Sequence, residues 1–304
     1  MARGKIKNVS LVKTADTEQS NEWSFPVYQE ELITSKGVKS GIHAVIRGDN
    51  QAVIGQYKGN KVLPYPVIVE KFETALESNG IAFKRSFMTT SNGGRFWGRY
   101  DIGNGAHVGN DSFNKIIRLQ SSHNGSLTPG FSLEMERLAC LNGMMGMAQV
   151  FALFQRHSEN FDLGFISENI VQSIENGTNH AVGMVEKMGN LQLTGGQARN
   201  IVSNIIGMGE KVGVSPKTGH LIYNNWRNPS KDETILGDTL YRLYNATTRL
   251  TRDIASVGRF EMSRKANVFV TGAFDLAVNG KHNLEKLLAT PTKALEFDAV
   301  IVNN

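Results

Sequence analysis

The chain has 304 residues, a formal net charge of +5 and a single cysteine, Cys140. That length is enough for a substantial core in one large domain or two, and the cation surplus leans toward an anionic partner. One cysteine excludes an intramolecular disulfide and a cysteine-built structural zinc site and points to a reducing compartment.

The opening stretch carries Arg3, Lys5, Lys7 and Lys13 but lacks the apolar core of a signal peptide. Residues 1–22 therefore read as a mobile basic arm, and Trp23, Phe25 and Pro26 as the point where the folded part begins. Ile42–Arg47 and Ala52–Tyr57 are β-rich runs around Gly48-Asp49-Asn50-Gln51, the pattern of a hairpin. After Pro64 and Pro66, Ile68, Phe72, Ala75 and Leu76 fall on one helical face, which predicts a helix over 67–78 stopped by Asn79-Gly80. A second hairpin is expected from Ile81–Thr89 and Arg95–Ile102 around Ser91–Gly94. Two further strands, Phe113–Gln120 and Phe131–Leu141, flank the turn-rich Ser121–Gly130; in the second, Phe131, Leu133 and Met135 alternate with Ser132, Glu134 and Glu136.

From Gly143 the period turns helical. Helices are expected over Met144–Arg156, over Ser167–Met188 with Ser167 as N-cap, and over Thr194–Met208, where Thr194 and Gln197 have capping-box spacing. Gly213–Pro229 reads as an irregular loop, Asp232–Val257 as the longest helix, Val268–Phe274 as a strand and His282–Leu288 as a short helix. The order predicts an α+β fold: a largely antiparallel N-terminal sheet with one crossing helix, then a helical C-terminal half. The expected divisions are an arm at 1–22, a β-rich region at 23–143, a helical region at 144–262 and a tail at 263–304. The longest apolar run, Met144–Phe154, falls short of the roughly 20 residues that span a bilayer, so a cytoplasmic protein without a membrane partner is expected.

Phosphate-loop, zincin, nucleophile-elbow and EF-hand motifs are absent from the sequence. Gly103, Gly105 and Gly109 miss the dinucleotide-binding spacing by one residue and read as turn glycines. Glu134 and Glu136 share a strand face and could hold a cation, but read rather as an edge that is solvated or paired with Arg137. The sequence therefore predicts no enzyme, no metal and no cofactor.

The stronger signal is electrostatic. Between residues 83 and 118, Lys84, Arg85, Arg95, Arg99, Lys115 and Arg118 interleave with Phe83, Phe87, Phe96, Trp97, Tyr100 and Phe113. Cations neutralise phosphates and aromatic faces stack on unpaired bases. Strand parity puts Trp97 with Arg95 and Arg99, away from Phe96 and Tyr100. On the expected long helix, Leu236, Leu240, Leu243, Ala246, Leu250, Ile254 and Val257 fill one sector. Arg242, Arg249, Arg252 and Arg259 lie roughly opposite, with Asp253 placed to pair with Arg249. His123 and Asn124, in the loop, are candidates for a further contact, although a hydrogen bond that stabilises the loop is the plainer role for His123.

Several stretches together resemble a phage- and plasmid-borne family described as a domain of unknown function. They are Ile42–Arg47 with Val53-Ile54-Gly55, Ser121–Ser126, Arg137–Gly143 and Leu243–Thr248, in the expected order over most of the chain. Asn124 stands where an acidic residue is expected, and Leu141 where a small polar one is. The resemblance implies mobile genetic elements and host cytoplasm, and assigns no catalytic residues. The hairpin–helix–hairpin order is also similar, as a fold-level analogy, to the RecT and Redβ type of single-strand annealing protein. The resulting expectation is a non-enzymatic, homo-oligomeric protein that binds single-stranded DNA, or RNA. Its expected contacts are Lys84, Arg85, Arg95, Trp97, Arg99 and Arg118, with Arg242, Arg249 and Arg252 in support. The competing expectation is a phage structural or self-assembling module without nucleic-acid binding.

Overall fold

The computed structural model describes residues 23–58, 62–108, 111–127, 129–137, 142–144, 152–154, 164–207 and 216–254. The expected arm, Cys140, and the expected tail elements at 268–274 and 282–288 lie outside the described residues. Those described divide into two compact units. One is drawn from Met1–Ile102, Leu119–Pro129 and Gln155–Glu168; the other is drawn from Gly103–Arg118, Gly130–Phe154 and Asn169–Asn304.

The first unit opens with a three-stranded antiparallel sheet, β1 (Val27–Ile33), β2 (Lys39–Arg47) and β3 (Val53–Lys58), in the order β1-β2-β3. The expected β2–β3 hairpin is present, with Val45 opposite Gly55 and Ile46 opposite Val53. The sequence reading did not anticipate β1, because its Gln29, Glu30 and Glu31 break the apolar alternation. Helix α1 (Tyr65–Ser78) buries Ile68, Phe72, Ala75 and Leu76, as its period predicts. Gly80, at φ +69°, follows the end of α1. Strands β4 (Lys84–Thr90) and β5 (Arg95–Val108) then flank a 3-10 turn at Ser91–Gly93, where Asn92 sits at φ 59°. Phe25 is buried and Trp23 packs its ring 4.5 Å from that of Phe87, so the chain docks where expected.

Strand β5 runs to Val108, so Gly103 and Gly105 lie inside a strand rather than in a turn. Gly103 adopts φ +90°, which a residue with a Cβ rarely does. The second sheet has the order β4-β5-β6-β7-β8, with β9 also on β7. Its later strands are β6 (Asp111–Ser122), β7 (Gly130–Arg137), β8 (Asn142–Met144) and β9 (Ala152–Phe154).

Strands β8 and β9 correct the helix expected over 144–156. Met144 pairs with Met135, and Ala152 to Phe154 pair with Ser132 to Gly130. A short apolar run has no periodicity that separates strand from buried helix; pairing with β7 decides the matter.

The second unit completes its core with helices α2 (Gly164–Asn190), α3 (Gly195–Gly207), α4 (Pro216–Arg227), α5 (Lys231–Thr234) and α6 (Leu240–Ile254). Ser167 lies inside α2 and does not cap it. The capping box of α3 forms: Thr194 Oγ1 accepts from the Gln197 backbone N–H at 3.2 Å, and Gln197 Oε1 accepts from that of Thr194 at 2.9 Å. The expected loop at 213–229 contains α4, whose Ile222 and Trp226 are one helical turn apart and buried. The expected helix over 232–257 is split, because Gly237 adopts φ +63° between α5 and α6. Met135, Met184, Val202, Trp226, Leu240 and Tyr244 belong to this unit's core.

Candidate nucleic-acid interface

The β4–β5 pairing sets the geometry of the first group of cations. Lys84 lies opposite Asp101, Ser86 opposite Arg99, Met88 opposite Trp97 and Thr90 opposite Arg95. Opposed residues share a face, so Lys84, Arg95 and Arg99 line one side of the hairpin together with Trp97 and the Asp101 carboxylate. The other side packs on α1. There the Tyr65 ring stacks on Phe96 at 4.8 Å and the Phe72 ring meets Tyr100 at 5.0 Å. Arg85 belongs to this helix-facing side and pairs with Glu73, which also accepts from the Tyr100 hydroxyl at 3.2 Å. Burial, reinforced by Glu73, pushes the Tyr100 phenol far above its usual range.

Lys84 is exposed, and Arg95 and Arg99 are half-buried. Trp97 shares their face, as strand parity predicts, yet only 4% of its surface is exposed. Its ring therefore cannot stack on a base unless the core opens, which corrects its expected role as an exposed platform.

Arg95 Nε donates to Ser126 Oγ at 2.8 Å and so joins the hairpin to the Ser121–Ser126 loop. That loop is a structural joint. The His123 and Asn124 backbone N–H groups donate to the Gly94 carbonyl at 2.9 and 3.3 Å. The His123 ring is fully buried, stacked on Tyr65 at 3.7 Å and edge-on to Phe25 at 6.0 Å. The Tyr65 hydroxyl donates to the Gly93 carbonyl at 2.8 Å and accepts from the His123 N–H at 3.2 Å. Burial pushes the Tyr65 phenol well above its usual range, so this donor keeps its proton.

Gly55 closes the joint from β3: a Cβ there would lie 2.5 Å from the His123 carbonyl oxygen and 2.6 Å from Asn124 Cα. Two of the stretches that carried the resemblance, Val53-Ile54-Gly55 and Ser121–Ser126, thus meet in space. Loop composition alone could not show that the His123 ring is internal, which excludes it as a surface contact. Asn124, half-buried, accepts from the Ser126 backbone N–H at 3.1 Å.

Of the remaining predicted cations, Arg118, Arg242 and Arg249 belong to the second unit and are engaged within it. Arg118 Nε donates to Glu134 Oε2 at 2.9 Å, and that carboxylate is buried. Glu134 thus pairs with Arg118 and is not a solvated edge, and the Arg137 side chain lies outside the described side chains. Arg242 is buried, pairs with Asp238 and lies over the Trp226 ring at 5.0 Å. Arg249 pairs at 2.6 Å with Glu233, which is buried and also accepts from the Ser230 backbone N–H at 3.0 Å. The pairing expected for Arg249 with Asp253 and the side chain of Arg252 lie outside the described side chains. Arg242 and Arg249, the described members of the basic stripe read from α6 as a lone helix, are therefore held by neighbouring elements and not simply turned to solvent. Trp226 of α4 and Glu233 of α5 engage the side that an isolated helix would leave to water.

Among the described residues, no group of three or more His, Cys, Asp or Glu is placed to hold a metal ion, and no helix is long and apolar enough to cross a membrane. A family model described as a domain of unknown function (DUF932) matches residues 57–267. No curated protein and no solved structure matches the chain.

Proposed function

The chain belongs to DUF932, an uncharacterised domain family, and from that premise we propose that it is a non-enzymatic single-stranded DNA-binding protein of the annealing kind, encoded by a phage or plasmid and acting in the host cytoplasm. The observation that carries this reading is the set of three cations, Lys84, Arg95 and Arg99, on the face of the β4–β5 hairpin turned away from α1. Arg95 and Arg99 are four residues apart on one strand, about 13 Å, so they would address separate phosphates of one strand. With Trp97 in the core, the proposed contact is to the phosphate backbone and not to bases. Such binding tolerates any sequence and weakens steeply with salt.

The test is fluorescence anisotropy of a labelled single-stranded oligonucleotide at several salt concentrations. Three phosphate contacts predict a log–log slope of about −2, at roughly 0.7 counterions per contact. Arg99→Ala and Lys84→Ala should each make the slope shallower by about 0.7. Absence of binding at low salt, or slopes unchanged in both variants, overturns the proposal. Repeating the titration with RNA of the same sequence separates the two polymers. The second reading, a self-assembling module without nucleic-acid binding, draws on the internal pairing of Arg118, Arg242 and Arg249. It predicts oligomers that ignore the oligonucleotide.

A further inference from the structure

Seven asparagines precede a glycine: Asn79, Asn92, Asn104, Asn124, Asn142, Asn176 and Asn279. At such a pair the glycine nitrogen can attack the asparagine side-chain amide, because glycine has no Cβ to hinder the approach. The fold treats the described pairs differently. At Asn79 the nucleophile is occupied: the Gly80 N–H donates to the Glu77 carbonyl at 2.9 Å. Gly177 lies inside α2, where its N–H belongs to the helix ladder. No donor reaches the Asn92 side-chain oxygen among the described residues. The side chains of Asn104 and Asn142, and all of Asn279, lie outside the described residues.

Asn124 is set up for the attack. Its Oδ1 accepts from the Ser126 N–H at 3.1 Å and from the Ser126 hydroxyl at 2.5 Å. That hydroxyl in turn accepts from Arg95 Nε at 2.8 Å. The guanidinium charge therefore polarises the Ser126 O–H, and the two donors draw electron density from Cγ through Oδ1. They form an oxyanion hole for a tetrahedral centre at Cγ. The nucleophile is open: Gly125 is exposed, and its N–H has no partner among the described residues.

We propose that Asn124 is a self-modification site, activated by Ser126 and Arg95, that converts to aspartate and isoaspartate. Hydroxide removes the Gly125 N–H proton, and the nitrogen attacks Asn124 Cγ. An N–Cγ bond forms, the Cγ–Nδ2 bond breaks, and Nδ2 takes a proton from water and leaves as ammonia. Water then opens the cyclic imide. Opening at Cγ gives aspartate; opening at the backbone carbonyl gives isoaspartate, which adds a methylene to the main chain. The loop has little slack for it, since Asn124 Cα leaves no room even for a Cβ on Gly55 and the Asn124 N–H is held by the Gly94 carbonyl. Either product leaves a carboxylate beside the Ser126–Arg95 hydrogen bond, where it competes with a phosphate for Arg95. That last consequence rests on the phosphate-binding reading; the conversion itself does not.

The test is to hold the folded full chain in mildly alkaline buffer and follow each Asn-Gly peptide by mass spectrometry, with isoaspartate read by methyltransferase labelling. Position 124 should convert ahead of the other six. Ser126→Ala and Arg95→Ala should each slow it by roughly tenfold or more, and Ser126→Thr, which keeps the hydroxyl, should convert as wild type does. In denaturant the Arg95→Ala chain should match wild type, because the relay acts only in the folded loop. An intact position 124 while another pair converts overturns the proposal, as does a wild-type rate in both folded alanine variants. The ranking in the wild-type chain decides even where a substitution unfolds the loop. Asn124→Asp should bind a single-stranded oligonucleotide more weakly than wild type at low salt; equal affinity in a chain that does bind removes the competition for Arg95 and leaves the conversion standing.

Discussion

Trp97 and Gly55 make opposite demands on space. The Trp97 ring is 4% exposed on a strand face that also carries three cations. Removing it leaves a large void, so Trp97→Ala should cost about 3–5 kcal/mol of folding stability, read by denaturant melts; a near-neutral melt would mean that the ring is not core. Gly55 shows the reverse. Its neighbours at 2.5 and 2.6 Å are backbone atoms of His123 and Asn124, which cannot swing aside. Gly55→Ala should therefore destabilise by about 1–3 kcal/mol through overpacking. Gly183, in α2, has nothing within 4 Å of a built Cβ, and Gly183→Ala should stabilise by about 0.5–1 kcal/mol through helix propensity and reduced unfolded-state freedom. Opposite signs from one chemical change test whether contact, rather than glycine content, sets the outcome.

At the scale of elements, the α5–α6 corner shows why a charged stripe is a poor guide to a binding surface. The Glu233 carboxylate is buried, and Arg249 reaches it across the break at Gly237. Two charges taken out of water hold each other, and removing one leaves the other uncompensated. Arg249→Ala should cost about 3–5 kcal/mol of stability, while the salt dependence of any oligonucleotide binding stays at the wild-type value. A shallower salt slope with an unchanged melt would instead make Arg249 a phosphate contact. The α3 capping box is the local counterpart: two hydrogen bonds between Thr194 and Gln197 use neighbours three residues apart, so nothing distant is needed to form them.

The whole molecule carries a pH signature. Burial raises the phenols of Tyr65, Tyr100 and Tyr244 above the ordinary value of 10.0. A phenol whose folded pKa is raised binds its proton more tightly in the folded chain than in the unfolded one. Its contribution is complete below about pH 10, the unfolded value, and is lost as pH climbs toward the folded value. Stability should therefore fall above about pH 10. In an alkaline titration followed by tyrosinate absorbance, these three of the seven tyrosines should ionise only together with loss of circular dichroism. Smooth titration of all seven in a chain that stays folded would contradict their burial.

Local chemistry was legible in the sequence wherever the signal lies within a few residues. The β2–β3 and β4–β5 hairpins, the apolar face of α1 with its Asn79-Gly80 stop, the α3 capping box and the α+β class all follow from period and turn residues. Strand parity likewise put Trp97 on the side of Arg95 and Arg99. Parity says which residues share a face, but not what lies over it, and burial of the Trp97 ring depends on that. Strands β8 and β9 exist through pairing with β7, which no window of their own residues contains. Only the folded chain brings Gly55 against His123, or aligns Glu233 with Arg249 across a glycine break. Composition and periodicity report on neighbours along the chain, whereas burial and ion pairing are set by neighbours in space, and those were decided by tertiary structure alone.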